Sequence, residues 1–306
     1  MCLIRATPPH GITDHLGEGP LPVFARNSKR IACTIAVAIC GWTSVACADV
    51  QRVVSLYPCL DTILVHVADR EQIAALSYYA SDPRSSTIAD IAKTLPMTYG
   101  TAEEIVSLRP DLVISSQYAP QKTHEALQRL GAKIALFDVP LTLAESIAQV
   151  RELARAVNRP ERGEAVVANI EAALVAAAAP PNTPPISALV FQSNGFFAGQ
   201  GVLIDELLGR TGFVNVAARY QLGQFGVVTL ERMIADPPQA LLSGVIEAGG
   251  LTWGDRLVSH PALARVAQGM ARAELPERLL LCGGPVITQT VAVLADARRR
   301  IASAAP

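Results

Sequence analysis

Residues 101–114 read TAEEIVSLRPDLVI, and residues 229–242 read TLERMIADPPQALL. Set one above the other, Thr101 meets Thr229, Glu103 meets Glu231, and Ile105-Val106 meets Met233-Ile234. Pro110 meets Pro238, and Val113-Ile114 meets Leu241-Leu242. Every pair is separated by the same 128 residues. Self-similarity at one fixed spacing marks a repeated structural unit. Each copy reads as a helix, a proline and then a short apolar strand, so two α/β halves are expected.

Outward from these two stretches, short β-branched runs alternate with longer amphipathic ones. Arg52–Leu56, Ile73–Leu76, Asp111–Ser115 and Lys133–Phe137 read as strands, with helices at Leu60–Ala68 and Gln121–Leu130 between them. Gly131 supplies a stop signal after the second of these helices. Strand and helix in alternation imply parallel sheet with helical crossovers. Two helices with no strand between them follow, Thr142–Val157 and Glu161–Ala179, the second closed by Pro180-Pro181 and Pro184-Pro185. Beyond the prolines the alternation resumes. Ser187–Gln192, Phe213–Val216, Ala240–Leu242 and Leu279–Leu281 read as strands; Val202–Leu208, Leu230–Ala235 and Pro285–Ile301 read as helices. The expected architecture is α/β, with two Rossmann-like lobes built on parallel sheets and joined by a single long helix. The lobes are expected at 49–141 and 186–306, with a helical connector at 142–185.

The first 48 residues have a different character. Asn27-Ser28-Lys29-Arg30 is a basic head, Ile31–Cys40 an uncharged apolar run, and Ala46-Cys47-Ala48 a small-residue site. That order is a secretory signal with cleavage after Ala48, and the apolar run is short for a bilayer span. Cleavage before Cys47 and lipid anchoring there ranks second, because Ser44 stands where such a site carries a branched apolar residue. Residues 1–26 have no apolar period, and the true start is expected downstream, near Val23. A free periplasmic protein is the expectation. Without the four basic and two acidic leader residues, the totals of 26 and 27 leave a formal charge of −3. So small a net charge gives no reason to expect nucleic acid or an anionic membrane as partner.

In open α/β sheets ligands bind beyond the carboxyl ends of the strands. In the first half those ends carry Tyr57-Pro58-Cys59, Tyr78-Tyr79 with Arg84, and Ser116-Gln117-Tyr118. In the second half they carry Asn194, Phe196, Phe197 and Cys282, with Tyr220 and Trp253 in irregular stretches nearby. Aromatics are only 5% of this chain, so their concentration here suits a bulky, partly apolar ligand. Arg84 is the cation at these edges for an anionic ligand group, the other reading being a solvated residue of the Asp82-Pro83 turn.

Cys59 and Cys282 are the only cysteines after the leader. Buried, inert thiols are the default for such a pair; thiolate ligation and an interlobe disulfide are the other readings. His66, His124 and His260 fall on three separate segments, so no metal site is assigned. No G-x-S-x-G elbow, phosphate loop or dinucleotide fingerprint is present, and no catalytic residue or cofactor is assigned. Thr101 and Glu104 satisfy a capping box. Glu103 and Glu231, at matched positions in the two copies, read either as favourable charges at a helix N-terminus or as a pair of exposed carboxylates offered to arginines of a partner.

With its opening strand Arg52–Leu56, its Glu-x-Ile-x-x-Leu-x-Pro-Asp-Leu-Val run at 103–113, its strut helix and Leu230-Glu231, the chain resembles the helical-backbone periplasmic receptors for iron-siderophores, heme and vitamin B12. The resemblance spans about Arg52 to Ile301. It departs at Asp236-Pro237-Pro238-Gln239, where the family carries Pro-Asp. It implies a monomeric substrate-binding component of an ABC importer, not an enzyme. Such a protein holds an iron-siderophore chelate or a corrinoid between its lobes and docks on permease subunits through Glu103 and Glu231. The alternative is a secreted metal- or cofactor-handling enzyme on a similar scaffold, with Cys59 and Cys282 as its candidate groups.

Overall fold

A computed structural model of the chain describes residues 50–192, 196–244 and 270–304. The expected signal segment, Asn194, Trp253 and His260 lie outside them. The first half is laid down as β1 (Val53–Ser55), α1 (Pro58–Val67), β2 (Ile73–Ser77), α2 (Ala89–Ala92), β3 (Met97–Thr98), α3 (Ala102–Ser107), β4 (Leu112–Ser116), α4 (Gln121–Arg129) and β5 (Ile134–Phe137). Its five strands run in the order β3-β2-β1-β4-β5, all parallel. The helices provide the crossovers that parallel pairing requires.

Next come α5 (Leu143–Ala156) and α6 (Pro160–Ala177). The ring of Pro160 suits the first turn of α6, where its missing N–H costs nothing. The buried face of α6 is Gly163, Val166, Val167, Ile170, Leu174 and Ala177, an apolar stripe at helical spacing. Eighteen residues make a rod about 27 Å long at 1.5 Å per residue. Gly163 lets α5 and α6 cross closely: a Cβ there would sit 2.5 Å from that of Ala154.

The second half contains β6 (Ile186–Phe191), β7 (Phe197–Ala198), α7 (Leu203–Arg210), β8 (Phe213–Asn215), β9 (Phe225–Gly226), α8 (Leu230–Ala235), β10 (Ala240–Ser243), β11 (Ala271–Glu274) and α9 (Val286–Ala304). β6 plays the part of β1, with β8 and β10 parallel to it and β11 parallel to β10. The 128-residue offset holds for three successive elements. Met97 of β3 matches Phe225 of β9, Ala102 of α3 matches Leu230 of α8, and Leu112 of β4 matches Ala240 of β10.

Two sequence expectations fail in this half. The sheet is not purely parallel, because β7 pairs antiparallel with Val190-Phe191 and β9 antiparallel with β7. β8 covers only Ile186–Ala188 of that edge, and a chain turning back within a few residues can pair only antiparallel. Leu279–Leu281 is not a strand. Leu279 ends a 3₁₀ turn at Glu277–Leu279, and the edge strand is β11. Its sequence, Ala-Arg-Ala-Glu, alternates half-buried and exposed positions and lacks the β-branched residues that signal a strand.

The sheets stay separate, yet one apolar core joins them within a single compact unit, Ala46–Pro306. It runs from Val53 and Ile114 through Val150, Leu153 and Ile170 to Val190, Leu242 and Leu294. No described helix is long and apolar enough to cross a membrane.

Candidate functional site: a cleft at the carboxyl ends of two sheets

A hollow of about 120 Å³ lies between the halves, bounded by Tyr57, Cys59, the Asp138–Leu141 loop, Gln149, Gln192, Val202–Ile204, Phe225 and Leu280–Gly283. It abuts a wider hollow of about 590 Å³ that shares Asp138–Leu141 and Gln149 and adds Tyr118, Phe137, Glu145, Glu152 and Gln224. A third, of about 90 Å³, sits on the first sheet's edge among Leu56, Ser77, Tyr78, Tyr79, Thr98, Tyr99 and Gly100. All three open where strands of the first sheet end, as the crossover topology requires.

Tyr78 and Tyr99 stack with ring centroids 4.6 Å apart, and Tyr79 meets Tyr78 edge-on at 6.2 Å. These side chains are exposed, Tyr99 at 75% and Tyr118 at 71%, so their faces are open to a ligand. Beneath them, buried Asp61 accepts the backbone N–H of Ser77 at 3.3 Å and the Ser77 hydroxyl, fixing the residue that launches Tyr78. Burial pushes the Asp61 carboxyl up to about 7, against the hydrogen bonds from Ser77, which pull it down. Tyr99 is held by its own N–H, donated to Glu104 at 2.9 Å. That contact revises the capping expectation. Thr101 does accept the Glu104 N–H, but the Glu104 carboxylate takes the Thr98 hydroxyl and the Tyr99 N–H, not the cap's own N–H.

Asp138 ends β5 inside the cleft. The Val139 N–H, donated at 2.7 Å, holds its carboxyl below the usual range, and the side chains of Tyr118 and Gln117 add to the effect. The Gln149 amide donates to the Asp138 carbonyl at 2.6 Å, so α5 pins this loop. The strand before Asp138 is legible in the sequence, and the ligand contacts expected there do not include the residues past its end. Applied there, the same strand-end rule yields 138–141. Tyr99 and Phe225 were missed for a shared reason: they belong to or adjoin two-residue strands too short to register as a pattern.

Several expected ligand contacts are occupied elsewhere. Phe197 is 0% exposed, packed on Phe191 at 5.0 Å in the second sheet's core. Tyr220 is 4% exposed, and its hydroxyl donates to the Asp236 carbonyl. Arg84 turns back on Asp82 through two side-chain hydrogen bonds, while its side chain stays 89% exposed. Ser116 is buried and accepts the Tyr118 N–H, which makes it a turn residue, and Pro58 opens α1. Phe196 and Gln117 remain exposed.

Cys59 and Cys282 are joined in a disulfide. The default of inert, separate thiols is overturned, and no thiolate is left for ligation. Among the described residues no three His, Cys, Asp or Glu side chains gather as a metal site. Glu103 and Glu231 are both exposed, each two residues past a threonine that caps its helix, Thr101 for α3 and Thr229 for α8.

Residues 53–268 match the family model described as periplasmic binding protein. The chain belongs to that family. Solved structures agree in fold. The apo heme-binding protein RhuT from Roseiflexus sp. RS-1 is 25% identical, with a TM-score of 0.63 over 81% of this chain and 99% of its own. The heme-binding protein HutB of Vibrio cholerae is 18% identical, with a TM-score of 0.66 over 84% and 99%. The vitamin B12-binding protein BtuF of Vibrio cholerae is 19% identical, with a TM-score of 0.61 over 83% and 98%. No curated protein matches the sequence. Membership makes this a periplasmic substrate-binding protein.

Proposed function

We propose that this binding protein captures a corrinoid of the vitamin B12 type and delivers it to an ABC importer. One observation carries the choice of ligand. The described walls of the cleft bear aromatic rings, glutamines and the carboxylates of Asp138, Glu145 and Glu152, but no lysine or arginine. The propionates of heme, or a ferric catecholate chelate, would require cationic partners to repay their desolvation. A corrinoid presents a broad apolar ring fringed with neutral amides. Tyrosine faces suit such a ring, and Gln117, Gln192 and Gln224 can exchange hydrogen bonds with its amides.

Delivery rests on the matched carboxylates. Glu103 and Glu231, one on each half and each exposed at a helix start, would accept arginines of two permease subunits in charge-assisted pairs. The protein acts as a monomer in this scheme. Calorimetric titration with cyanocobalamin, hemin and a ferric catecholate tests the ligand. Cyanocobalamin should bind at least tenfold more tightly than either of the others. Tighter binding of hemin would move the assignment to heme.

A further inference from the structure

We infer that the Cys59–Cys282 disulfide is a redox-labile strap that fixes the aperture of the cleft. This rests on the cleft being the ligand site. Cys59 lies in the first turn of α1, which packs on the first sheet, while Cys282 lies between β11 and α9 of the second half, 223 residues away. The bridge is therefore a covalent link across the gap, separate from the α5–α6 connector. Both cysteines are partly exposed and line the hollow between the halves, within reach of a small thiol.

The neighbouring contacts are weaker ties. The Gly284 N–H donates to Ser146 of α5 at 2.7 Å, and the Leu143 N–H of α5 donates to Glu206 of α7 at 2.9 Å. Both involve the connector; between α1 and the loop itself the bridge reinforces the packing of Gly284 on Ile63, where a Cβ would lie 3.0 Å from the Ile63 side chain. Gly283 sits so close to α5 that a Cβ would lie 2.4 Å from the Ser146 hydroxyl oxygen, which keeps the loop at the floor of the cleft. With the bridge intact, α1 and this loop move as one body, and the cleft can widen only at its outer rim. A dithiol reductant reverses this. Its thiolate attacks one sulfur, the protein S–S bond breaks, and the reductant closes its own S–S bond, leaving two protein thiols and an oxidised reductant.

The test begins without ligand. The folded protein is compared before and after dithiothreitol treatment by small-angle X-ray scattering and amide hydrogen exchange. Reduction should raise the radius of gyration and speed exchange at least fivefold in the first turn of α1 and at residues 280–284, while far-ultraviolet circular dichroism stays unchanged. Unchanged scattering and exchange would overturn the inference, since the non-covalent contacts would then suffice. The C59A/C282A variant, or C59A/C282V should the first fail to fold, then gives cyanocobalamin dissociation rates. Dissociation at least fivefold faster than from oxidised protein is expected; equal rates would overturn the strap's control of release. If cyanocobalamin binds none of these proteins while reduction still opens the cleft, the strap stands and the corrinoid reading falls.

Discussion

Replacing Asp61 with asparagine should make the protein more stable at neutral pH and remove a pH dependence that the wild type carries. Asp61 is fully buried in α1, with the Ser77 hydroxyl and N–H as its partners. Its carboxyl rises to about 7 in the fold from an ordinary value of 3.8. In the unfolded chain this proton leaves near pH 4; in the folded protein it stays until about pH 7. Between those values the folded state binds the extra proton, so stability is fully present below pH 4 and falls as pH rises to about 7. At ~1.4 kcal/mol per pKa unit, three units correspond to a loss of about 4 kcal/mol, complete above pH 8. Asparagine fills the same space, does not titrate, and can still accept a hydrogen bond from Ser77. The assay is urea unfolding of both proteins from pH 4.5 to 8.5, with the other carboxylates cancelling in the difference. The variant should gain on the wild type steadily across that range, by about 10 °C in midpoint temperature if heat is used instead. Parallel curves for the two proteins would refute the reasoning, because they would show that the carboxyl ionises equally easily in both states.

The remaining predictions concern the bridge, the tyrosine wall and the two carboxylates. Removing both cysteines should lower stability by up to about 5 kcal/mol, the chain-entropy value for a loop of 223 residues, read as a drop in urea midpoint with a steeper slope, because the unbridged denatured chain exposes more surface. Tyr99→Ala, at an exposed position, should shift the unfolding midpoint negligibly yet weaken cyanocobalamin binding roughly 3- to 10-fold, the worth of one aromatic stacking contact. Equal affinity in a titration would remove Tyr99 from the site. Charge reversal of Glu103 and Glu231 together should abolish stimulation of the permease ATPase and leave ligand affinity untouched. A loss of affinity instead would place those residues in the pocket.

Much of the site's scaffold was legible because periodicity reports burial. The apolar stripe of α6, the β-branched runs of β1, β4 and β6, and the repeat at a 128-residue offset each reflect one face meeting a core. Edges escaped the same reading. β3 and β9 have two residues each, and β11 is Ala-Arg-Ala-Glu, so none buries enough side chain to leave a pattern. The site residues divide in the same way. Tyr78, Tyr79 and Tyr118 were recognisable as aromatics at strand ends. Phe197 and Tyr220 looked equivalent, because sequence gives a side chain's chemistry but not the direction it faces.

By itself the sequence determined two α/β halves, a stiff helical connector between prolines, and a matched carboxylate on each half. These follow from local propensity and from a repeat that any reader of the chain can align. Only the tertiary structure decided which aromatics face the cleft, that Asp138 lines the pocket, and that Cys59 meets Cys282. Those facts depend on which surfaces approach across as much as 223 residues of chain, and no local pattern encodes that approach.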